Sequence, residues 1–285
     1  MGSIKKDIQS KIKYIQIKTR RLLTGSIAGN YVTKRKGYGL EFEQLREYQV
    51  GDDVRFIDWK SSARSNKLLL KEYCEERNRT VMLLVDISKS SFFGSSKQLK
   101  SDVMADITSA LALAADYTKD AVGLVLFSDT VHSYIPPARG KAHVMNVLKT
   151  MYAAEPKGSS TTISQAMQLL GQLKRTDTIA FLISDCIDEQ YQKTIHTITA
   201  RYDLVVVRCL DAREQRLPAS FHIQLQDLET GEDVFVHSNA LALCDKRLEQ
   251  QNNYFRRHGI DCFDVTTHKP YLNNLIQFFQ KRVAR

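Results

Sequence analysis

The chain has no uninterrupted apolar run near the ~20 residues that span a bilayer, and residues 1–24 lack the apolar core of a signal peptide. The five cysteines, Cys74, Cys186, Cys209, Cys244 and Cys262, are odd in number and scattered, with no Cys-x-x-Cys pair. They read as small buried residues or free thiols in a reducing compartment, so a cytoplasmic location is expected, with the inner face of the membrane as the variant. The histidines His132, His143, His196, His222, His237, His258 and His268 have no zinc-ligand spacing. A phosphate-binding G-x-x-x-x-G-K-[ST] loop is absent, Gly37-Tyr-Gly39 lacks the third glycine of a dinucleotide fingerprint, and no serine sits in a G-x-S-x-G elbow. A Ser-His-Asp triad assembled from distant residues stays open. There is no internal repeat or low-complexity segment.

The chain is 43% hydrophobic over 285 residues, enough for a substantial core, so it is not a disordered protein. Its formal charge of +9 is unevenly placed. Residues 1–40 hold ten basic residues against Asp7 alone, which leaves 31 basic and 31 acidic residues in the remainder. Ile4, Ile8, Ile12, Ile15 and Leu22 fall on one helical face of that basic segment. Three readings follow: packing on its own domain, docking on a partner or an anionic membrane through residues 1–24, or contact with nucleic acid. Against the last, only Tyr14, Tyr31 and Tyr38 are aromatic there and no recognisable nucleic-acid-binding fold is present, so no specific nucleic acid is expected.

The most informative stretch is Thr80-Val-Met-Leu-Leu-Val-Asp-Ile-Ser-Lys-Ser90, where a short, uncharged, β-branched-rich run ends in Asp86, Ser88 and Ser90. Val81 to Val85 reads as a buried strand, and ligands of open parallel sheets bind beyond the carboxyl ends of strands. A carboxylate and two hydroxyls are hard oxygen donors, suited to Mg²⁺ or Mn²⁺ rather than zinc or copper. Thr178-Ile-Ala-Phe-Leu-Ile-Ser-Asp185 is a second apolar strand ending in a carboxylate, and Gly158-Ser-Ser-Thr-Thr-Ile-Ser-Gln-Ala-Met167 is a small-residue loop entering a helix. Taken alone, Asp-x-Ser-x-Ser also fits an N-cap, Thr161 a cap for the helix from Ile163 to Leu173, Asp188 a helix start, and Cys186 a packing residue.

The three-loop pattern resembles the metal-ion-dependent adhesion site of von Willebrand factor type A domains. The resemblance implies that Asp86, Ser88, Ser90, Thr161 and Asp185 hold one divalent ion, the hydroxyls directly and the carboxylates directly or through water. One position would stay open for a partner's acidic side chain. Upstream, Gly37-Tyr-Gly-Leu-Glu-Phe-Glu-Gln-Leu-Arg-Glu-Tyr-Gln-Val-Gly-Asp-Asp-Val-Arg-Phe-Ile-Asp-Trp-Lys-Ser-Ser-Ala-Arg64 is similar to the signature of the bacterial "domain of unknown function 58" family, and Asp227-Leu-Glu-Thr-Gly231 to its late hairpin. That resemblance implies a MoxR-type AAA+ ATPase and a client protein as partners. Read from its residues alone, the signature segment is short strands and turns, with Trp59 as a packing anchor and its charges either in an ion-pair network or, at Asp53, Arg55, Asp58 and Arg64, on a surface that a partner reads.

Strands alternating with helices imply parallel βαβ units. The expected fold is α/β: a Rossmann-like von Willebrand factor type A domain, a mainly parallel sheet flanked by helices, with an N-terminal elaboration of helix and short strands. Its expected parts are a basic helical segment at 1–28, the signature segment at 29–79 and the type A-like domain at 80–285. Val131 to Ile135 reads as an antiparallel edge strand that Pro136-Pro137 ends. The leading function is a metal-dependent protein-interaction module and not an enzyme. The alternatives are a Mg²⁺-dependent phosphatase or phosphotransferase with Asp86 as nucleophile, although Ser88 stands where the haloacid-dehalogenase arrangement wants a second Asp, and a metal-free scaffold.

Overall fold

A computed structural model describes residues 40–65, 67–75, 79–95, 98–158, 160–173, 177–188, 192–211, 223–226, 233–236, 240–267 and 270–283. The expectations for the helix at 1–28 and for the turn Asp227–Gly231 lie outside these residues. The chain divides into two units, one formed by residues 35–78 and the other containing everything from Arg79 onward.

In the smaller unit, β1 (Leu40–Glu47) and β2 (Leu69–Glu75) pair antiparallel, with a register shift between Phe42 and Gln44. Between them lie a 3₁₀ turn (Val54–Phe56) and a short helix, α1 (Trp59–Ser65), where the sequence pattern indicated only strands and turns. Two aspartates start these elements. Asp53 accepts from the backbone N–H of Arg55 at 3.0 Å, and Asp58 from those of Lys60 and Ser61 at 3.1 and 3.2 Å, the side-chain capping that short polar residues perform at helix starts. Trp59 is 66% exposed, which overturns its expected role as a packing anchor: it stands at the first position of α1 with most of its ring in water.

The larger unit is a three-layer α/β body. Its sheet runs in the order β10-β7-β6-β3-β4-β5, from β10 (Asp261–Thr266) through β7 (Asp203–Leu210), β6 (Thr178–Ser184), β3 (Thr80–Asp86) and β4 (Ala121–Phe127) to β5 (Val131–Ala138). All pairings are parallel except β4 with β5. Every residue of β3, β4 and β6 is buried, which is why these strands read as continuous apolar runs rather than alternating ones. The helices α2 (Lys100–Tyr117), α3 (Lys141–Tyr152) and α7 (Tyr271–Val283) pack on the face that carries Val81, Leu83 and Val85. The other face, carrying Met82 and Leu84, is covered by α4 (Ile163–Gln172), α5 (Gln192–Thr199) and α6 (Ala240–Arg257). Each fully buried Leu, Ile, Val or Phe here contributes roughly 1.5–3 kcal/mol. A short hairpin of β8 (Ile223–Gln226) and β9 (Asp233–Val236) stands outside the main sheet.

The fold is the expected one, with one strand boundary corrected. β5 does not stop before Pro136-Pro137 but continues through both to Ala138. Both prolines fall at the register shift between the Val122–Ala138 and Leu124–Ile135 pairs, an irregularity on an edge strand where the ladder is already interrupted. Among the described residues no helix is long and apolar enough to cross a membrane.

The strand order has one consequence for function. The connection leaving β3 leads through α2 to β4 on one side, and that leaving β6 leads through α5 to β7 on the other. Since β3 and β6 are neighbours, their carboxyl ends flank the switch point, where doubly wound sheets bind ligands. Asp86 ends β3, and Asp185 follows the last residue of β6.

Candidate metal centre

The register of the parallel strands sets the row of side chains at this edge. Val85 pairs with Ile183, which brings Asp86 level with Ser184; Ser184 pairs in turn with Arg208, and Arg208 with Asp264. Ser184 Oγ donates to Asp86 Oδ2 at 2.7 Å, and the backbone N–H of Ser88 donates to Asp86 Oδ1 at 2.8 Å. The Ser88 bond is the local reason for Asp-x-Ser: the carboxylate folds over its own loop and turns the chain off the strand. It places the Ser88 hydroxyl 3.0 Å from that of Ser90 and 3.3 Å from that of Ser91, an oxygen cluster that the 3₁₀ turn Lys89–Phe92 carries. Asp86, Ser88 and Ser91 are buried and Ser90 is half-buried.

Asp86 is 1% exposed. Burial and then the charge of Asp185 push its pKa up to about 7, while the bonds from Ser88 and Ser184 oppose the rise. Two buried carboxylates that feel each other's charge favour positive charge beside them. Part of that charge is already present. Lys100, the first residue of α2, is fully buried with its Nζ 3.0 Å from Asp185 Oδ2.

Bonds at Cys186 and Ile187 help to hold the loop carrying Asp185. Its second residue, Cys186, has φ +57°, a left-handed conformation unusual for a residue other than glycine. Its N–H donates to Ser184 Oγ at 3.0 Å, and its carbonyl accepts from Gln251 Nε2 at 2.6 Å. The N–H of Ile187 donates to Asp185 Oδ1 at 3.4 Å. Gln251, on α6, also accepts through Oε1 from Arg208 Nη1 at 2.8 Å, and Arg208, fully buried, forms a two-pronged ion pair with Asp264 at 2.8 and 2.9 Å. An uncommon backbone geometry persists where its surroundings fix it this fully. The Cys186 thiol lies in the core, and burial raises its pKa well above the ordinary value, so it is a packing group.

The second loop is stitched to both others. The N–H of Lys157 donates to the carbonyl of Ile87 at 3.0 Å, and the N–H of Ile163 donates to Asp188 Oδ2 at 3.0 Å. Asp188 is thus a helix-start residue, but for α4 rather than for the α5 that follows it. Thr162, not Thr161, is the cap position of α4, and it makes no side-chain cap bond. Thr161 is half-buried in the loop between these two stitches. At its base, Gly158 has φ +76°, and a Cβ there would lie 2.3 Å from Ser128 Oγ, a hydroxyl that already meets Asp129 Oδ1 at 2.8 Å and His132 Nε2 at 2.5 Å. Only glycine fits that approach.

The donors fit a hard divalent ion: two carboxylates and a run of serine hydroxyls, oxygen throughout. Among the described residues no three His, Cys, Asp or Glu side chains converge, so a thiolate or imidazole set for a softer metal is not formed there. Asp86, Ser88 and Ser90 lie where β3 ends and Asp185 where β6 ends, on neighbouring strands. Ser184, Ser91, Lys100 and Gln251 were not anticipated. Ser184 had a signal in its place beside Asp185 at a strand end, whereas Lys100 had only the odd placement of a cation in the first turn of a helix. The other predicted group is in the smaller unit, where Asp53, Arg55 and Arg64 are exposed and Asp58 is half-buried. Arg55 pairs with Asp53 at 2.6 Å and Lys71 lies 3.8 Å from Asp58, so ion pairing and exposure coexist.

The solved structure of the conserved hypothetical protein BatB from Bacteroides thetaiotaomicron matches 72% of this chain and 99% of its own at 12% identity, with a TM-score of 0.51. An aerotolerance-related membrane protein from Bacteroides fragilis matches 72% of this chain and 98% of its own at 13% identity, with a TM-score of 0.50. At these identities the likeness is one of fold. An uncharacterized protein of Mycobacterium bovis is 25% identical over 227 residues, covering 79% of this chain and 72% of the relative. The family described as "Protein of unknown function DUF58" matches residues 44–253, the span that holds the smaller unit's helix and all three site loops, and the chain belongs to that family.

Proposed function

We propose that the chain is a metal-dependent protein-interaction module, in which Asp86, Ser88, Ser90, Thr161 and Asp185 hold Mg²⁺ or Mn²⁺ and an acidic side chain of a partner completes the coordination. The observation that carries this reading is the pair of buried carboxylates at the ends of the two strands that flank the switch point, beside the paired hydroxyls of Ser88 and Ser90. A bound ion supplies a positive centre to which a carboxylate attaches without any covalent bond changing. The chain's own contribution is to fix the oxygens: Ser88 N–H and Ser184 Oγ orient Asp86, and the bonds at Cys186 and Ile187 orient the Asp185 loop. The resemblance to its family makes a MoxR-type AAA+ ATPase and its client the proposed partners, met in the cytoplasm or at the inner face of the membrane. Asp53, Arg55, Asp58 and Arg64 are a second proposed contact surface.

Burial favours binding over phosphoryl transfer. A nucleophilic carboxylate must be reached by the phosphorus it attacks, whereas Asp86 is 1% exposed and accepts a hydrogen bond at each oxygen. The test is calorimetric titration of the full chain with Mn²⁺ and Mg²⁺, alongside pull-down of the AAA+ partner with and without EDTA. The expected result is one divalent site and EDTA-sensitive capture, both lost in Asp86→Ala while the fold persists. Capture unchanged in excess EDTA would exclude metal bridging and leave the scaffold reading. Mg²⁺-dependent phosphoester turnover that disappears in Asp86→Asn would move the assignment to an enzyme.

A further inference from the structure

Lys100 is out of place by every local rule. It stands in the first turn of α2, where the helix dipole disfavours a cation, and its backbone N–H is used by the carbonyl of Phe93 at 2.9 Å. Its side chain is fully buried, although lysine is among the residues least often found inside, and a buried ammonium loses hydration that one ion pair rarely restores. Inside, its Nζ lies 3.0 Å from Asp185 Oδ2 and 6.0 Å from the Phe93 ring centroid. The carboxyl ends of β3 and β6 thus hold two buried carboxylates and a cation delivered by the chain itself, paired with one of them.

We propose that Lys100 is a tethered counter-ion of the metal centre: its ammonium neutralises Asp185 when no divalent ion is bound, and it opposes the ion when one enters. The inference rests on the ion-site reading above. Coulomb's law gives it a direction. An ion close to Asp185 must either displace the ammonium from that carboxylate or sit beside a like charge, and both weaken binding. Removing the ammonium leaves Asp185 as an uncompensated buried charge that a divalent ion is well suited to satisfy. Lys100 therefore sets the affinity of the centre, lowering it so that occupancy depends on the ambient ion and on the carboxylate that a partner brings.

The test uses the full chain, with Mn²⁺ as the probe, in three forms: wild type, Lys100→Met and the closer mimic Lys100→Gln, which keeps a donor for Asp185 without the charge. Calorimetry gives the Mn²⁺ dissociation constant, and melting in Mn²⁺ and in EDTA gives a second reading independent of function. The neutral variants are expected to bind Mn²⁺ on the order of tenfold more tightly or better, to melt below wild type in EDTA, and to recover more on adding Mn²⁺ than wild type does. A variant that folds only with Mn²⁺ counts in favour. If wild type binds Mn²⁺ and neither variant binds it more tightly, the counter-ion role is wrong and the ion site stands. If no form binds Mn²⁺, the ion-site reading falls and this inference with it. Failure of both variants to fold with or without Mn²⁺ would make Lys100 a structural cation that no ion replaces, which also overturns the proposal.

Discussion

Among the described side chains of the smaller unit, charges pair at the surface, whereas the carboxyl edge of the larger unit brings them together inside. Arg46 grips Asp52 with two bonds at 2.6 and 2.8 Å, and that grip, with the N–H of Gln49, holds the Asp52 pKa down to about 2, yet both side chains keep substantial contact with water. Arg55 is more open still, its side chain 82% exposed beside Asp53. At the sheet edge, Lys100, Arg208, Asp86 and Asp185 have almost no exposure. The same pairing chemistry has different leverage in the two places. Water screens and replaces a lost surface partner, but nothing replaces a buried one. Deleting charges should therefore do little in the smaller unit and much in the larger.

The largest effect is expected for Arg208→Ala. It removes a buried guanidinium from Asp264, Gln251 and Asn252 together and frees the amide that holds the Cys186 carbonyl. Denaturant unfolding should show a loss of about 3–5 kcal/mol, and a loss below about 1 kcal/mol would mean that the network is not structural.

Next is Asp86, where the sign is opposite to that of an ordinary paired carboxylate. Between its usual value of 3.8 and about 7 the folded chain keeps a proton that the unfolded chain has released. Stability of the metal-free protein therefore falls as pH rises through that window, and the deficit is fully present above it. Asp86→Asn removes the slope while keeping an acceptor for Ser88, so in EDTA at pH 8 it should melt at or above wild type, by on the order of 2–4 kcal/mol in the metal-free state. A variant melting well below wild type at pH 8 would show that the ionised carboxylate is needed by the fold itself.

The smallest effect is expected for Arg46→Ala, whose ion pair lies at the surface of the other unit. Its melting midpoint should stay within about 2 °C of wild type. A drop comparable to that of Arg208→Ala would erase the contrast between the two regions.

How much of this was legible in the sequence follows the same division. Strands such as Val81 to Val85 and Thr178 to Ile183 were readable because full burial on both faces leaves an uninterrupted apolar run, and their terminal aspartates were readable because such a run has no other reason to stop in a carboxylate. Pro136-Pro137 misled because proline forbids a central strand and not an edge, and edge position is a property of the finished sheet. Trp59 misled because a lone aromatic carries no mark of the side it faces. Lys100 was invisible: a lysine at a helix start reads as solvated, and the residue that draws it inside lies 85 positions away. Arg208 and Gln251 escaped for the same reason, their meaning residing in partners 56 and 65 positions distant.

The bond from Gln251 to the carbonyl of Cys186 also orders events in time. A ribosome releases the chain from its amino terminus, and Gln251 follows Cys186 by 65 residues, so at about 5–20 residues per second the Asp185 loop exists for roughly 3–13 s before its last tether is synthesised. During that interval a nascent chain can hold both strand-end carboxylates and the Lys100 ammonium without the peg that finishes the loop. The bond from Gln251 is thus completed only once translation has passed that point of α6, and a product truncated before Gln251 would carry both strand-end aspartates and still lack the contact that holds the Cys186 carbonyl.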